Sequence, residues 1–72
     1  MSKVHVVPYN GAWAVKVEGN SNPLSTHNTQ GGAIDAGKPV AQSQGSELVI
    51  HRPNGQIREA WSYGNDPYPP KG

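Results

Sequence analysis

The stretch from residue 47 to residue 61 constrains the fold of this chain more than any other. Residues 47–52 form a run of β-branched and long apolar side chains, and residues 56–61 alternate apolar with polar side chains. Between them lies Pro53-Asn54-Gly55, in which the proline presets a negative φ and the glycine accepts a positive one. This pattern predicts a β-hairpin built on a type I turn followed by a glycine bulge.

A second hairpin is predicted near the N-terminus. Asn10-Gly11 tolerates positive φ at both turn positions, which is the strongest short signal for a hairpin. The flanking residues 3–9 and 12–18 have the pattern of strands. In the second of these strands, strict alternation places Trp13, Val15 and Val17 on one face.

Residues 30–44 are predicted to form one helix that is kinked at Pro39. Thr29 offers an N-cap oxygen, and Gly45 is well placed to end the helix. An interior proline costs about 3 kcal/mol, so the alternative is a helix that begins only near Gly37. We prefer one kinked helix because the apolar spacing continues across Pro39, and we expect packing on a sheet to hold it.

These elements predict a two-layer α+β fold in the order β-β-(β)-α-β-β, where the bracketed element is a short strand near residues 24–27. The two hairpins are expected to form one antiparallel sheet, with the kinked helix packed on one face. We assign residues 1–62 to this single domain and residues 63–72 to a Tyr/Pro-rich C-terminal tail. The predicted core consists of Trp13, Val15, Val17, Ala33, Ile34, Val40, Ala41, Leu48, Ile50 and Ile57.

The composition excludes several classes of function. The chain has 72 residues, which allows one domain, and it has no cysteine, which removes thiolate catalysis and sulfur-based zinc sites. The net charge is only +1, no apolar run is long enough to span a membrane, and the N-terminus lacks the apolar region of a signal peptide. We therefore expect a soluble cytoplasmic protein that does not insert into a membrane.

No catalytic or metal-binding motif is recognised. The histidines His5, His27 and His51 lack the spacing of familiar metal ligands. Ser25 and His27 are close in sequence, but neighbours along a strand point in different directions, so we predict no nucleophile–base pair. We predict a protein without catalytic residues, metal or cofactor. The least favoured alternative is a metal site that joins His5 and His51 with Glu47, Glu59 or Asp66.

Two functions are weighed on the remaining residues. The first is a non-catalytic binding or accessory module that meets an unknown protein partner through its sheet face and its tail. Its candidate contacts are Trp61, Tyr63, Asn65, Asp66 and Tyr68. The alternative is a weak nucleic-acid-binding domain whose strand cations contact phosphates, provided that they gather on the face away from the helix. Those cations are Lys3, Lys16, Arg52 and Arg58.

Self-association is predicted from the first strand, which is apolar on both faces. Val4 and Val6 lie on one face, and Val7 and Tyr9 lie on the other. One helix covers only one face of a sheet, so the second face needs the tail or a second copy of the chain as a cover. We prefer the tail, with a homodimer as the alternative.

Several motifs together point to a known family. They are Trp13-Ala14-Val15-Lys16-x-Glu18-Gly19-Asn20-Ser21, Glu47-Leu48-Val49-Ile50-His51, and Ser62-Tyr63-Gly64-Asn65-Asp66-Pro67. In these motifs the chain resembles the small bacterial proteins grouped as domain of unknown function 2188, and the likeness covers nearly the whole chain. The resemblance implies a bacterial or phage origin and a stand-alone small domain. It implies no particular biochemical activity.

Overall fold

The computed structural model describes residues 3–63, which form a five-stranded sheet with one helix against one face. Their element order confirms the predicted α+β class, including the short third strand. The strands are β1 (Val4–Tyr9), β2 (Ala12–Val17), β3 (Ser25–His27), β4 (Glu47–His51) and β5 (Ile57–Ser62), and the helix α1 (Gln30–Gln44) connects β3 to β4. The strand order across the sheet is β3-β2-β1-β4-β5.

The prediction of a purely antiparallel sheet is wrong at its centre. β1 and β4 are parallel, with Val4 opposite Leu48 and Val6 opposite Ile50. Because β1, β2 and β3 reverse direction in turn and α1 then carries the chain back, β4 starts from the same end of the sheet as β1. The two hairpins therefore meet side by side, and β1 becomes the central strand. Pro8 is tolerated there because the pairing with β4 ends before it.

The core lies between α1 and one face of the sheet. Gly37 is buried on α1 at the point of closest approach, where a Cβ atom would lie 3.0 Å from Cδ1 of Leu48. The absence of a side chain at this position therefore lets the helix sit close to the sheet. Full burial of each large apolar side chain contributes about 1.5–3 kcal/mol. The largest fully buried side chains are Leu48, Ile50, Val4, Val6 and Val15.

The predicted core is largely confirmed, with one error and two omissions. Ile57 is 61% exposed, because a register shift between Ile50 and His51 places it on the face that α1 does not cover. Val4 and Val6 are fully buried but were not predicted in the core. The predicted residues Val15, Val17, Ala33, Ala41, Leu48 and Ile50 are buried, while Trp13, Ile34 and Val40 pack against them in part.

The predicted helix ends are confirmed. The Thr29 hydroxyl accepts a hydrogen bond from the Gly32 N–H at 3.0 Å, and Gly45 adopts the left-handed region with φ 59°. The helix is continuous through Pro39, which lies on its exposed side, whereas the kink itself stays a prediction. Within residues 3–63, no helix has both the length and the apolar character needed to cross a membrane.

Both predicted hairpin turns form as their glycines require. Asn10 and Gly11 have φ values of 49° and 76°, which match a turn with two positive φ angles. Gly55 has φ 91°, and its N–H donates to the Arg52 carbonyl at 2.8 Å. The second turn brings β5 back along β4, and the bulge beside it re-aims the first residues of β5.

Candidate functional site: a histidine pair on the uncovered sheet face

One face of the sheet lies away from α1, and we call it the uncovered face. Its residues follow from alternation, because Val4, Val6, Leu48 and Ile50 point to the helix and their neighbours point the other way. One row across this face consists of Lys16, His5, Val49 and Ala60, which are paired in register on β2, β1, β4 and β5. A second row contains Thr26, Ala14 and Val7.

His5 and His51 meet at the centre of the uncovered face. His5 is opposite Val49 on the adjacent parallel strand, and His51 follows Val49 by two residues on the same face. The Nδ1 atom of His5 lies 3.0 Å from Nε2 of His51, and the ring centroids are 5.2 Å apart. This centroid separation is close to the N–N distance plus the radius of each ring, so the two nitrogens point at each other. The contact is a head-on hydrogen bond and does not have the angle of two ligands on one metal ion.

The surrounding acceptors assign the protons of this pair. Nδ1 of His51 lies 3.1 Å from the carbonyl oxygen of Gly55, which can only accept, so this nitrogen carries a proton. In neutral His51 the other nitrogen is then an acceptor, and the bond between the rings requires that Nδ1 of His5 donate. Nε2 of His5 is left facing the Glu18 carboxylate at 3.8 Å. One line of polar contacts therefore links Glu18, His5, His51 and Gly55.

This line accepts one additional proton readily and a second only by breaking. A first proton goes to Nε2 of His5, where it faces Glu18, and all the hydrogen bonds survive. A second proton would go to Nε2 of His51 and set two N–H groups against each other. Burial lowers the pKa of His5 from its ordinary 6.5, and repulsion from the positive charge of His51 lowers it further. The Glu18 carboxylate acts in the opposite direction, and the Lys3 cation adds a smaller lowering.

A cleft of about 270 Å³ opens beside the histidine pair. It lies where the end of β2 and the residues after it rise next to β1. Its walls mix cationic, anionic, amide and apolar groups, so it can present donors and acceptors at once. Among residues 3–63, no group of three or more histidine or carboxylate side chains could hold a metal ion. The cleft is lined by His5, Val7, Lys16, Val17, Glu18, Gly19, Asn20 and His51.

The comparison with protein families agrees with the resemblance seen in the sequence. The profile of a family described as "Uncharacterized protein conserved in bacteria (DUF2188)" matches residues 4–63. The chain belongs to this family. The match covers every helix and strand described above.

This DUF2188 chain is also similar to a protein of Bacillus subtilis (strain 168). That relative, "Uncharacterized protein YdaT", is 30% identical over 61 residues, which are 85% of this chain and 41% of the relative. The chain therefore spans less than half the length of the curated relative that it matches. No solved structure gives a significant match.

The four predicted nucleic-acid contacts lie on different parts of the DUF2188 domain. Lys3 and Lys16 belong to the uncovered face, and Nζ of Lys3 is 3.4 Å from a carboxylate oxygen of Glu47. Arg52 is exposed in the β4–β5 turn. Arg58 reaches toward α1, where Nη1 donates to Oε1 of Gln30 at 2.6 Å. Only Lys16 lies beside the histidine pair, and the nucleic-acid hypothesis stays a prediction.

The predicted partner contacts divide between packed and undescribed residues. Trp61 packs against the core, and Nζ of Lys38 lies 4.8 Å from its ring centroid. Tyr63 also packs against the core, and its N–H donates to the Ser46 carbonyl at 2.8 Å. Asn65, Asp66 and Tyr68 lie outside the described residues, so their roles and that of the tail stay predictions.

The structure shows two side-chain pairs that the sequence analysis did not predict as sites. His5 and His51 were considered only as distant metal ligands. Ser25 and His27 were expected to point apart, yet the Ser25 hydroxyl lies 2.9 Å from Nε2 of His27. Residues two apart on a strand share a face, so the period of two was the signal that would have found this second pair. The hydrogen bonds of residues 3–63 include no carboxylate that orients His27.

Proposed function

We propose that this domain is a small non-catalytic binding module that meets a protein partner through the uncovered face of its sheet. The observation that carries the proposal is the one-sided cover of the sheet. α1 packs on one face, and the other face presents the His5–His51 pair, the cleft, and apolar side chains such as Val7 and Ile57. An apolar surface with a polar centre is typical of a protein–protein interface.

The charge on this face favours a partner that offers carboxylates. Lys16 forms no ion pair with any residue in the range 3–63, whereas Lys3 is engaged by Glu47. Lys16 also lies in the same row as His5 and borders the cleft. A carboxylate of the partner that reaches Lys16 would thus be held at the centre of the face, with apolar contact around it.

The length of the relative supports an accessory role. The region that matches this chain is 41% of the Bacillus subtilis protein, so the same domain is found there joined to further sequence. Within the proposal, the tail adds a second contact, because the composition of Pro67-Tyr68-Pro69-Pro70 favours an extended conformation. Such a segment loses little conformational entropy on binding.

Photo-crosslinking in the host bacterium tests this function. A photoreactive benzophenone residue replaces Val7 on the uncovered face, and the matched control carries it at Ser43 on the exposed side of α1. We expect one discrete adduct from position 7, suppressed by excess unmodified chain and weakened by Lys16→Gln. Gln42→Glu, at another exposed position of α1, lowers the net charge equally and should leave the adduct unchanged. Equal adducts from positions 7 and 43 would contradict a specific surface.

The chemistry of the adduct separates the proposal from its alternative. An adduct that protease removes and nuclease leaves intact supports a protein partner. A nuclease-sensitive adduct that disappears with Lys3→Gln and Lys16→Gln would instead establish the nucleic-acid-binding function and overturn the proposal. An adduct between two copies of this chain would identify the uncovered face as a dimer interface and overturn the proposal of a different protein partner.

A further inference from the structure

The outer edge of β5 is a second surface, distinct from the uncovered face. β5 is the last strand in the sheet order, and its first four residues are exposed. The Tyr63 N–H bonds to the Ser46 carbonyl, and hydrogen-bonded pairs alternate along an antiparallel ladder. Backbone groups of Glu59 and Trp61 therefore point to β4, whereas those of Ala60 and Ser62 point outward. The outward groups form a short ladder that another strand can join.

We propose that two copies of this chain pair through β5, antiparallel and with Ala60 opposite Ala60 of the second copy. The symmetry of a homodimer limits the choices strictly. A two-fold axis perpendicular to the sheet keeps every side chain on its own face, so the pairing must centre on a residue and not between two residues. The candidate centres on β5 are few, and the charges along the strand distinguish them.

Like charges exclude two of these centres. A register centred on Arg58 or on Glu59 places that residue directly opposite its own copy, which is destabilising. A register centred on Trp61 leaves a ladder of only residues 60–62, since β5 ends at Ser62. The register centred on Ala60 pairs residues 58–62 and sets no charge against its own copy. It also lets the outward backbone groups of both Ala60 and Ser62 form hydrogen bonds.

The Ala60 register also brings opposite charges together. It places Glu59 of one copy opposite Trp61 of the other, at the distance of about 4.5–5.5 Å that separates facing Cβ atoms. Trp61 lies under the Lys38 cation, whose Nζ is 4.8 Å from the ring centroid. The incoming Glu59 carboxylate therefore arrives beside Lys38, and symmetry makes this contact twice. Exposed charges and a bulge often protect a sheet edge from pairing, but here they select one register for it.

Single cysteines test the register directly, because the chain has none of its own. Opposed Cα atoms in a hydrogen-bonded pair are about 5.5 Å apart, which a disulfide can span. We expect Ala60→Cys to form a disulfide dimer under mild oxidation. Ser62→Cys is the matched control, since its two copies would lie about 13 Å apart along the strands. Faster crosslinking of Glu59→Cys would overturn the proposed register, and equal rates for all three would overturn specific pairing.

A charge exchange tests the same dimer without any covalent bond. In sedimentation of the unmodified chain, we expect a monomer–dimer equilibrium that shifts with concentration. Glu59→Lys should raise the dissociation constant roughly tenfold or more, and adding Lys38→Glu should restore dimerisation. A chain that stays monomeric at the highest concentration would overturn the proposal, as would failure of the double variant to recover while its circular dichroism is native. These outcomes are independent of the crosslink from position 7, so they leave the proposed function to its own test.

Discussion

Nδ1 of His5 donates a hydrogen bond of 3.0 Å to Nε2 of His51, across the one parallel strand pair of the described sheet. The Gly55 carbonyl fixes the donor side of His51, and Glu18 faces the free nitrogen of His5. The contact therefore couples β1 to β4 and to the turn that follows it. It also makes the centre of the proposed binding surface sensitive to protonation.

Stability should fall in mild acid because of His5. The pKa of His5 is lowered in the folded chain from 6.5, mainly by burial, so the unfolded chain binds this proton more readily. The contribution of neutral His5 is then fully present above about pH 6.5 and is lost as the pH falls from there to the folded pKa. Urea unfolding across this range should show a smaller loss in His5→Gln than in the native chain. His27→Gln is the matched control, and an unchanged slope in His5→Gln would refute the role of His5.

The pKa of His5 should move in opposite directions when its two neighbours are changed. His51→Asn removes the neighbouring positive charge, so the pKa of His5 should rise. Glu18→Gln removes the one stabilising anion, so the pKa should fall further. Both shifts are measured by a titration followed by NMR on the imidazole signals. Shifts in the same direction in the two variants would contradict the proton arrangement described here.

Two glycines of the same helix should respond oppositely to alanine. At Gly37 a Cβ atom would lie 3.0 Å from Leu48, whereas at Gly31 it would meet open space. Gly31→Ala should therefore stabilise the chain by up to about 1 kcal/mol through helix propensity. Gly37→Ala should destabilise it by about 1–3 kcal/mol, because overpacking outweighs that gain. The free energy of unfolding in urea measures both, and stabilisation by Gly37→Ala would show that α1 does not sit so close to the sheet.

Two isoleucines near the β4–β5 bulge should differ sharply in their contribution to stability. Ile50 is fully buried, and Ile57 is 61% exposed on the uncovered face. Ile50→Ala should cost about 2–5 kcal/mol, whereas Ile57→Ala should stay within about 0.5 kcal/mol of the native chain. Comparable losses of unfolding free energy in both variants would mean that the bulge does not turn Ile57 away from the core.

Local signals in the sequence predicted the local structure well. Asn10-Gly11 and Gly55 marked turns that need positive φ, and Thr29 and Gly45 marked both ends of the helix. These residues act within a few positions of themselves, so their meaning does not depend on the rest of the fold. The extension of the helix through Pro39 was also predicted, from apolar spacing on either side.

The long-range arrangement could not be predicted in the same way. Nothing in β1 or β4 alone indicates that they pair in parallel, and that pairing buries Val4 and brings His5 to His51. The bulge that exposes Ile57 is likewise a property of the β4–β5 register. The histidine pair was missed because its two members are 46 residues apart and meet only through the crossover.

The most direct measurement is a nitrogen–nitrogen scalar coupling across the bond between His5 and His51, recorded by NMR on isotope-labelled chain above pH 6.5. We predict a coupling between Nδ1 of His5 and Nε2 of His51, which is lost in His51→Asn and retained in His27→Gln. Absence of that coupling, with the two rings titrating independently, would contradict the hydrogen-bonded pair at the centre of the uncovered face.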